Sequence, residues 1–198
     1  MITNIHIQKT LYSSYKNDKQ NKDMLETHAF GVFVPTNAKY LILGSFTVKK
    51  YTGNPNLDWF YVTPVNQFWP IIENVYDIKL PDKRAKEDLF TKLGIALSDI
   101  IYQCERRDGT NLDANLINFV YNTPNIRTIL SENKIEKIFF TSKFVEKEYK
   151  KKLKELVEEF PKVELLTLPS PSPRYAAMRK GEKVQRYKEL LPRFLYPL

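Results

Sequence analysis

A chain of 198 residues, 42% hydrophobic and 27% charged, has the length and balance of one globular domain with a full core, and no stretch is apolar for long enough to be read as a membrane span. Its formal charge of +8 favours polyanionic partners. One cysteine and two histidines exclude a disulfide framework within the chain, a Cys-ligated iron–sulfur cluster and a zinc site built from those residues alone.

Cys104 lies in the apolar stretch Ile100-Ile101-Tyr102-Gln103-Cys104 and reads as a small core residue, in keeping with a reducing, cytoplasmic setting. Residues 1–6 lack the basic start and apolar run of a signal peptide. Aromatic content is high at 13%. Buried area accounts for most of it, with some rings free to stack on nucleobases.

In chain order, residues 1–27 are polar and read as a loosely tied N-terminal extension, with a helix over 13–26 as the alternative. Residues 28–198 then form a single domain. Apolar residues return over 28–35, as a segment packed across the base of the domain. Residues 39–43 read as a central strand covered on both faces, and 47–58 as a long loop above it. From Asn66 the spacing turns helical, with Phe68, Ile71, Ile72 and Val75 on one face and Pro70 tolerated in the first turn. A second helix is expected over 82–93, stopped by Gly94. Residues 95–102 read as another buried strand, 105–111 as a polar turn, and 112–130 as short helices broken at Thr123-Pro124. Residues 137–141 and 164–168 are strands. A charged amphipathic helix is expected over 143–160, and a last helix over 181–191, ended by Pro192. Strands alternating with helices predict a three-layer α/β/α sandwich on a central, mainly parallel four-stranded sheet. Ligands of such sheets bind outside the carboxyl ends of the strands. Three expected strands end at Gly44-Ser45, Thr141-Ser142 and Leu168-Pro169-Ser170.

Three motifs fall at or beside those ends: Leu43-Gly44-Ser45-Phe46, then Phe60-Tyr61-x-x-Pro64-x-Asn66-Gln67-Phe68-Trp69-Pro70, then Leu168-Pro169-Ser170-Pro171-Ser172-Pro173. In this order, with Gly94-Ile95-Ala96-Leu97-Ser98-Asp99 and Cys104-Glu105-Arg106 between them, they resemble the uracil-DNA glycosylase superfamily over roughly residues 28–190. The resemblance is strongest to its hypoxanthine-DNA glycosylase branch, with the mismatch-specific glycosylases next. It implies a metal-free, cofactor-free, monofunctional base-excision enzyme that flips a deaminated base out of DNA and hydrolyses its N-glycosidic bond. Hypoxanthine is the favoured base, uracil or a G:T or G:U mismatch the next. The partner is DNA carrying a damaged or mismatched base, the enzyme a monomer without membrane association.

The same resemblance implies the site. Asn66 is the catalytic residue, its carbonyl binding a water while backbone holds its amide; the competing reading is a helix N-cap. Tyr61 stacks on the flipped base. Phe46 forms the opposite wall, and the backbone of Gly44, Ser45 and Phe46 meets a base carbonyl. Phe60, Phe68 and Trp69 read as core. Ser170, Pro171 and Ser172 press on the DNA backbone, and Arg174 or Tyr175 fills the gap left by the base. Arg179, Lys180, Lys183, Arg186 and Lys188 continue a basic face, whereas 147–154 reads as a solvated helix face. Two departures stand out. Ser45-Phe46-Thr47 carries no carboxylate or amide where many relatives have Asp or Asn, and the Pro-Ser loop has no His. They keep open a catalytically inactive nucleic-acid-binding protein of the same fold. An enzyme of free nucleosides is a third reading, disfavoured by the basic carboxyl-terminal face.

Overall fold

The computed structural model describes residues 25–46, 59–61, 63–107 and 115–194. Its centre is a four-stranded parallel sheet of strands β2 (Tyr40–Gly44), β3 (Ile95–Asp99), β6 (Lys137–Phe140) and β7 (Glu164–Thr167), in the order β3-β2-β6-β7. Register places Gly44 opposite Asp99, Leu43 opposite Phe140, and Phe140 opposite Thr167, so all four strands finish level.

The period of two in these strands splits the core. Leu41, Leu43, Ile138 and Phe140 face one side; Ile42, Ile95, Leu97 and Phe139 face the other, and all are fully buried. The first side is covered by helices α3 (Thr123–Glu132), α4 (Lys143–Lys152) and α5 (Lys154–Glu159) through Ile126, Ile129, Val145, Tyr149, Leu153 and Leu156. The second is covered by α1 (Phe68–Tyr76), α2 (Lys83–Leu93) and α6 (Lys180–Leu190) through Phe68, Ile71, Ile72, Phe90 and Tyr187. The expected three-layer sandwich on a parallel sheet is therefore present.

Helix ends follow local chemistry. Asp82 caps α2 by accepting from the Ala85 amide at 2.8 Å, and Gly94 ends it in the left-handed region at φ 67°. A side chain at Gly94 would also strike the Asn37 carbonyl oxygen at 2.8 Å. Ser142 caps α4 through the Val145 amide.

A second sheet was not expected. Strands β1 (Leu25–Thr27), β4 (Ile101–Arg106) and β5 (Leu116–Tyr121) form an antiparallel sheet in the order β1-β4-β5. Glu26 joins it by accepting from Arg106 Nε at 2.9 Å and Nη2 at 3.2 Å. Four expectations are corrected here. Residues 95–102 are not one strand: the chain changes sheets at Ile100, whose amide donates to the Gly44 carbonyl while that of Ile101 donates to Ser45. An apolar run reads the same in both cases. Residues 116–121 are a strand and not a helix, as Ile117, Phe119, Val120 and Tyr121 favour. Pro124 starts α3 in its first turn instead of breaking a helix. The helix expected over 143–160 is also interrupted, at Leu153 (φ −115°), and that break lets Leu153 and Leu156 both reach the core.

Of the turn expected over 105–111, Glu105 and Arg106 belong to β4 and 108–111 lie outside the described residues, as do the loop over 47–58 and residues 1–24. The segment over 28–35 lies along the free edge of β3, where Phe33 exchanges backbone hydrogen bonds with Leu97. Among the described residues no helix is long and apolar enough to cross a membrane.

Candidate functional site

The level finish of the four strands collects one group of polar residues at their carboxyl ends. Gly44 closes β2 and Asp99 closes β3 directly beside it. Asp99 is 2% exposed, and His28 Nε2 donates to its Oδ2 at 2.7 Å. The Phe30 amide donates to His28 Nδ1, so a neutral ring carries its proton on Nε2, facing the carboxylate. Edge-on Phe46 and tilted Phe60 enclose the imidazole at 5.8 and 5.5 Å between ring centres.

Gly44 is required by crowding rather than by backbone conformation. A Cβ there would lie 2.1 Å from Asp99 Oδ1 and 2.8 Å from the Tyr61 hydroxyl. Both oxygens therefore converge on the end of β2. Thr141, the residue after β6, accepts from the Tyr61 hydroxyl at 3.5 Å and donates to the Leu43 carbonyl.

Tyr61 is held in place by the aromatic cluster around it. Trp59 stacks on Trp69 at 5.3 Å, and Trp69 Nε1 donates to the Phe60 carbonyl at 2.8 Å. These buried anchors force the chain to turn at Tyr61, which has φ 59°. A bulky residue in the left-handed region is an outlier costing roughly 1–3 kcal/mol, and such strain gathers at functional sites. One face of the Tyr61 ring lies on Phe68, 3.9 Å between centres. Phe60, Phe68 and Trp69 are buried, as core residues should be.

Asn66 opens α1. Its Oδ1 accepts from the Phe68 amide at 2.8 Å, while its Nδ2 donors have no partner among the described residues. This is the reverse of the expected arrangement: backbone occupies the carbonyl, and the amide donors remain available. The next residue, Gln67, donates its backbone N–H to the Pro171 carbonyl at 2.9 Å, which joins the Asn66 motif to the Pro-Ser loop.

That loop is braced from below by one face of α6. Tyr187 donates to the Pro169 carbonyl at 2.9 Å, and Lys183, one turn earlier, donates to the Ser172 carbonyl at 2.9 Å and to Gln67 Oε1 at 3.2 Å. Burial pushes the Tyr187 hydroxyl above its ordinary pKa and the Lys183 ammonium below its own. Lys183 is thus not part of an exposed basic face; Arg174, Arg179, Lys180, Arg186 and Lys188 are exposed. Within the loop Ser170 Oγ accepts from the Ser172 amide and Ser172 Oγ from the Arg174 amide. Pro171 is buried, Ser170 and Ser172 half-buried, and half-buried Tyr175 sits with its ring 5.4 Å from the Lys183 ammonium.

Gly44, Tyr61 and the turn after β6 thus meet at the carboxyl ends of the inner strands, and Asn66 is tied to the loop of Ser170, Pro171 and Ser172. Phe46 reaches the group through His28, and Ser45 follows Gly44. The sequence reading missed the His28–Asp99 pair. It also missed Asn122, a buried residue whose amide donates to Ser98 Oγ and to the Asp99 carbonyl, both at 3.1 Å. The signal available for Asp99 was a charged residue inside the apolar run over 95–102. Among the described residues no three His, Cys, Asp or Glu side chains are grouped to hold a metal ion.

No family model matches the chain, and no curated protein matches it. A solved structure does: the solution NMR structure of a candidate uracil DNA glycosylase from Methanosarcina acetivorans, with TM-score 0.57 and 19% identity, covering 84% of this chain and 99% of that one. At that identity the likeness is one of fold: the chain is built on the same architecture as that archaeal protein.

Proposed function

We propose that the chain is a DNA glycosylase that hydrolyses the N-glycosidic bond of a deaminated base, with hypoxanthine as the first candidate and uracil or a mismatched pyrimidine next. The observation that carries this reading is the edge itself. Gly44, Asp99, Tyr61 and Thr141 meet at the carboxyl ends of a parallel sheet, and a stiff Pro-Ser loop is hydrogen-bonded to the segment that presents Asn66. Polar and aromatic groups gathered at strand ends beside a loop of short hydroxyls suit a flipped base and its strand.

Hydrolysis adds water at C1′ while the base leaves with the bonding electrons. Positive charge builds on the sugar and negative charge on the base. With its carbonyl bound to Phe68 N–H and its amide free, Asn66 acts as a donor to the departing base, in the role left vacant by the absent His of the loop. The Tyr61 ring, backed by Phe68, stacks on the base, and Phe46 closes the opposite side. Asp99 supplies from the neighbouring strand the carboxylate that Ser45-Phe46-Thr47 lacks. Its charge favours the cationic sugar, and His28 keeps it in place. Arg174, exposed at the end of the loop, fills the gap in the duplex.

The hydrogen bond from the Phe68 amide to Asn66 favours one second reading, a nucleic-acid-binding protein of this fold in which Asn66 only shapes the turn into α1. Incubation of the protein with duplex and single-stranded oligonucleotides carrying hypoxanthine, uracil, or thymine opposite guanine separates the two. Alkali-labile abasic sites at one lesion support the glycosylase. Tight DNA binding with no release from any substrate refutes it in favour of the binding protein.

A further inference from the structure

Three electron-rich groups hold the buried Lys183 ammonium: the Ser172 carbonyl at 2.9 Å, Gln67 Oε1 at 3.2 Å, and the Tyr175 ring, whose centre is 5.4 Å away. An ammonium only donates, so of the two ends of the Gln67 carboxamide the oxygen must face Lys183. The Gln67 backbone is fixed as well. Its N–H donates to the Pro171 carbonyl and its C=O accepts from the Ile71 amide, both at 2.9 Å. Half-buried Gln67 is left with its Nε2 donors, which have no partner among the described residues. The residue before it is in the same state: Asn66 Oδ1 is taken by the Phe68 amide and Nδ2 is unengaged. No buried side-chain nitrogen or oxygen among the described residues lacks a partner, so both amino groups reach the surface. Successive carboxamides at the turn into α1 thus have their oxygens held by protein and their N–H donors left for a ligand. A cation on the Gln67 carbonyl also polarises that amide and strengthens its N–H groups as donors.

We propose that Gln67 is a second catalytic donor beside Asn66, hydrogen-bonding N7 of the flipped purine while Asn66 takes O6, with Lys183 the positioning residue that orients the Gln67 amide. The inference rests on the reading of the site as a glycosylase and adds how the departing base is held. Hypoxanthine, like guanine, carries O6 and N7 as neighbouring acceptors on one edge, whereas adenine has an amino group in place of O6. Paired donors therefore accept the deaminated purine and reject its parent. When the C1′–N9 bond breaks, its electron pair goes to the base and negative charge spreads through the five-membered ring to N7. A donor at N7 then binds the departing base more strongly than the intact nucleotide, which is the condition for catalysis. The arrangement also explains a lysine on the inward stripe of α6: only a donor without an acceptor of its own fixes which end of the Gln67 amide is free.

The test is single-turnover base release and binding by wild type and Gln67→Glu. Glu keeps an oxygen for Lys183 to donate to but has no donor at neutral pH. A side chain that only braces the loop predicts release at the wild-type rate. A donor to the base predicts a loss of about 100-fold on a duplex carrying hypoxanthine, with Kd for the abasic product within a few-fold. Contact with N7 is read by anisotropy on two uncleavable duplexes with fluorine at C2′ of the sugar, carrying hypoxanthine or 7-deazahypoxanthine, in which C–H replaces N7. Wild type should bind the first about five- to tenfold more tightly. Gln67→Glu should bind both alike, as should Lys183→Met, whose Gln67 amide is free to turn over. Release by Gln67→Glu at the wild-type rate, or a preference for N7 that survives in it, overturns the inference and leaves the glycosylase standing. A preference that survives in Lys183→Met overturns the role of Lys183. A wild type that releases no base from any lesion overturns the inference together with the reading of the site. Should Gln67→Glu fail to fold, wild type alone decides, and equal affinity for the two duplexes refutes the contact.

Discussion

Replacing Gly44 with alanine puts a methyl group where two oxygens already converge. The added carbon would lie 2.1 Å from Asp99 Oδ1, 2.8 Å from the Tyr61 hydroxyl and 3.3 Å from Asp99 Cγ. Neither neighbour gives way freely. Asp99 is held by the buried His28 at 2.7 Å, and Tyr61 is pinned between Phe68 and Thr141. Overpacking at such a site costs about 1–3 kcal/mol, and loss of the buried His28–Asp99 contact could raise this to about 3–5 kcal/mol. For a chain of this size each kcal/mol lowers Tm by about 2–4 °C. In the catalytic arrangement proposed above, a displacement of about 1 Å also removes about 100-fold of the rate. Urea unfolding and single-turnover base release read the two effects separately. Because the clash is mainly with Asp99, the stability cost of Gly44→Ala should shrink in an Asp99→Ala background, and the double-mutant cycle measures that coupling. A Gly44→Ala protein with wild-type stability and rate, or fully additive effects in the cycle, would refute the argument.

Other expectations follow from the same contacts. Tyr187→Phe leaves the buried Pro169 carbonyl without its donor, and should lose about 1–3 kcal/mol in urea unfolding and weaken DNA binding in anisotropy. His28→Ala removes the 2.7 Å hydrogen bond to the buried Asp99 carboxylate and should cost about 1.5–3 kcal/mol, whereas exposed Lys188→Ala should cost under about 0.5 kcal/mol by the same assay. Glu146 accepts from Lys150 and Thr167, and these hydrogen bonds hold its pKa below the ordinary value. A depressed carboxyl stabilises the fold above its unfolded pKa, and that contribution is lost as pH falls through the folded value. Glu146→Gln should therefore lose a few tenths of a kcal/mol, up to about 1, at neutral pH, and the gap to wild type should close in acid urea titrations.

Much of this architecture is legible in the sequence because local rules suffice for it. The apolar runs at Leu41, Ile42 and Leu43 and at Ile138, Phe139 and Phe140 declare buried parallel strands, and Asp82 and Gly94 declare the limits of α2. What escapes notice depends on contacts far apart in the chain. Ile100 changes sheets because its amide meets Gly44, which no window around Ile100 reveals. His28 meets Asp99 across 71 residues. Lys183 reads as a surface cation from its type, although it stands four residues before Tyr187 on the inward stripe of α6, where an apolar residue is usual. Asn66 and the Pro-Ser loop were visible as motifs, but the direction of the Asn66 amide depends on the hydrogen bond its carbonyl accepts from the Phe68 amide.

The central claim, that this edge hydrolyses the bond to an extruded base through Asn66, is tested most directly by comparing wild type with Asn66→Ala on one duplex carrying a single hypoxanthine, with base release and Kd measured on the same preparations. The account predicts release by the wild type, a loss of at least about 100-fold in the variant as for removal of one donor at developing charge, and a Kd within a few-fold. Release that persists undiminished in Asn66→Ala would contradict it.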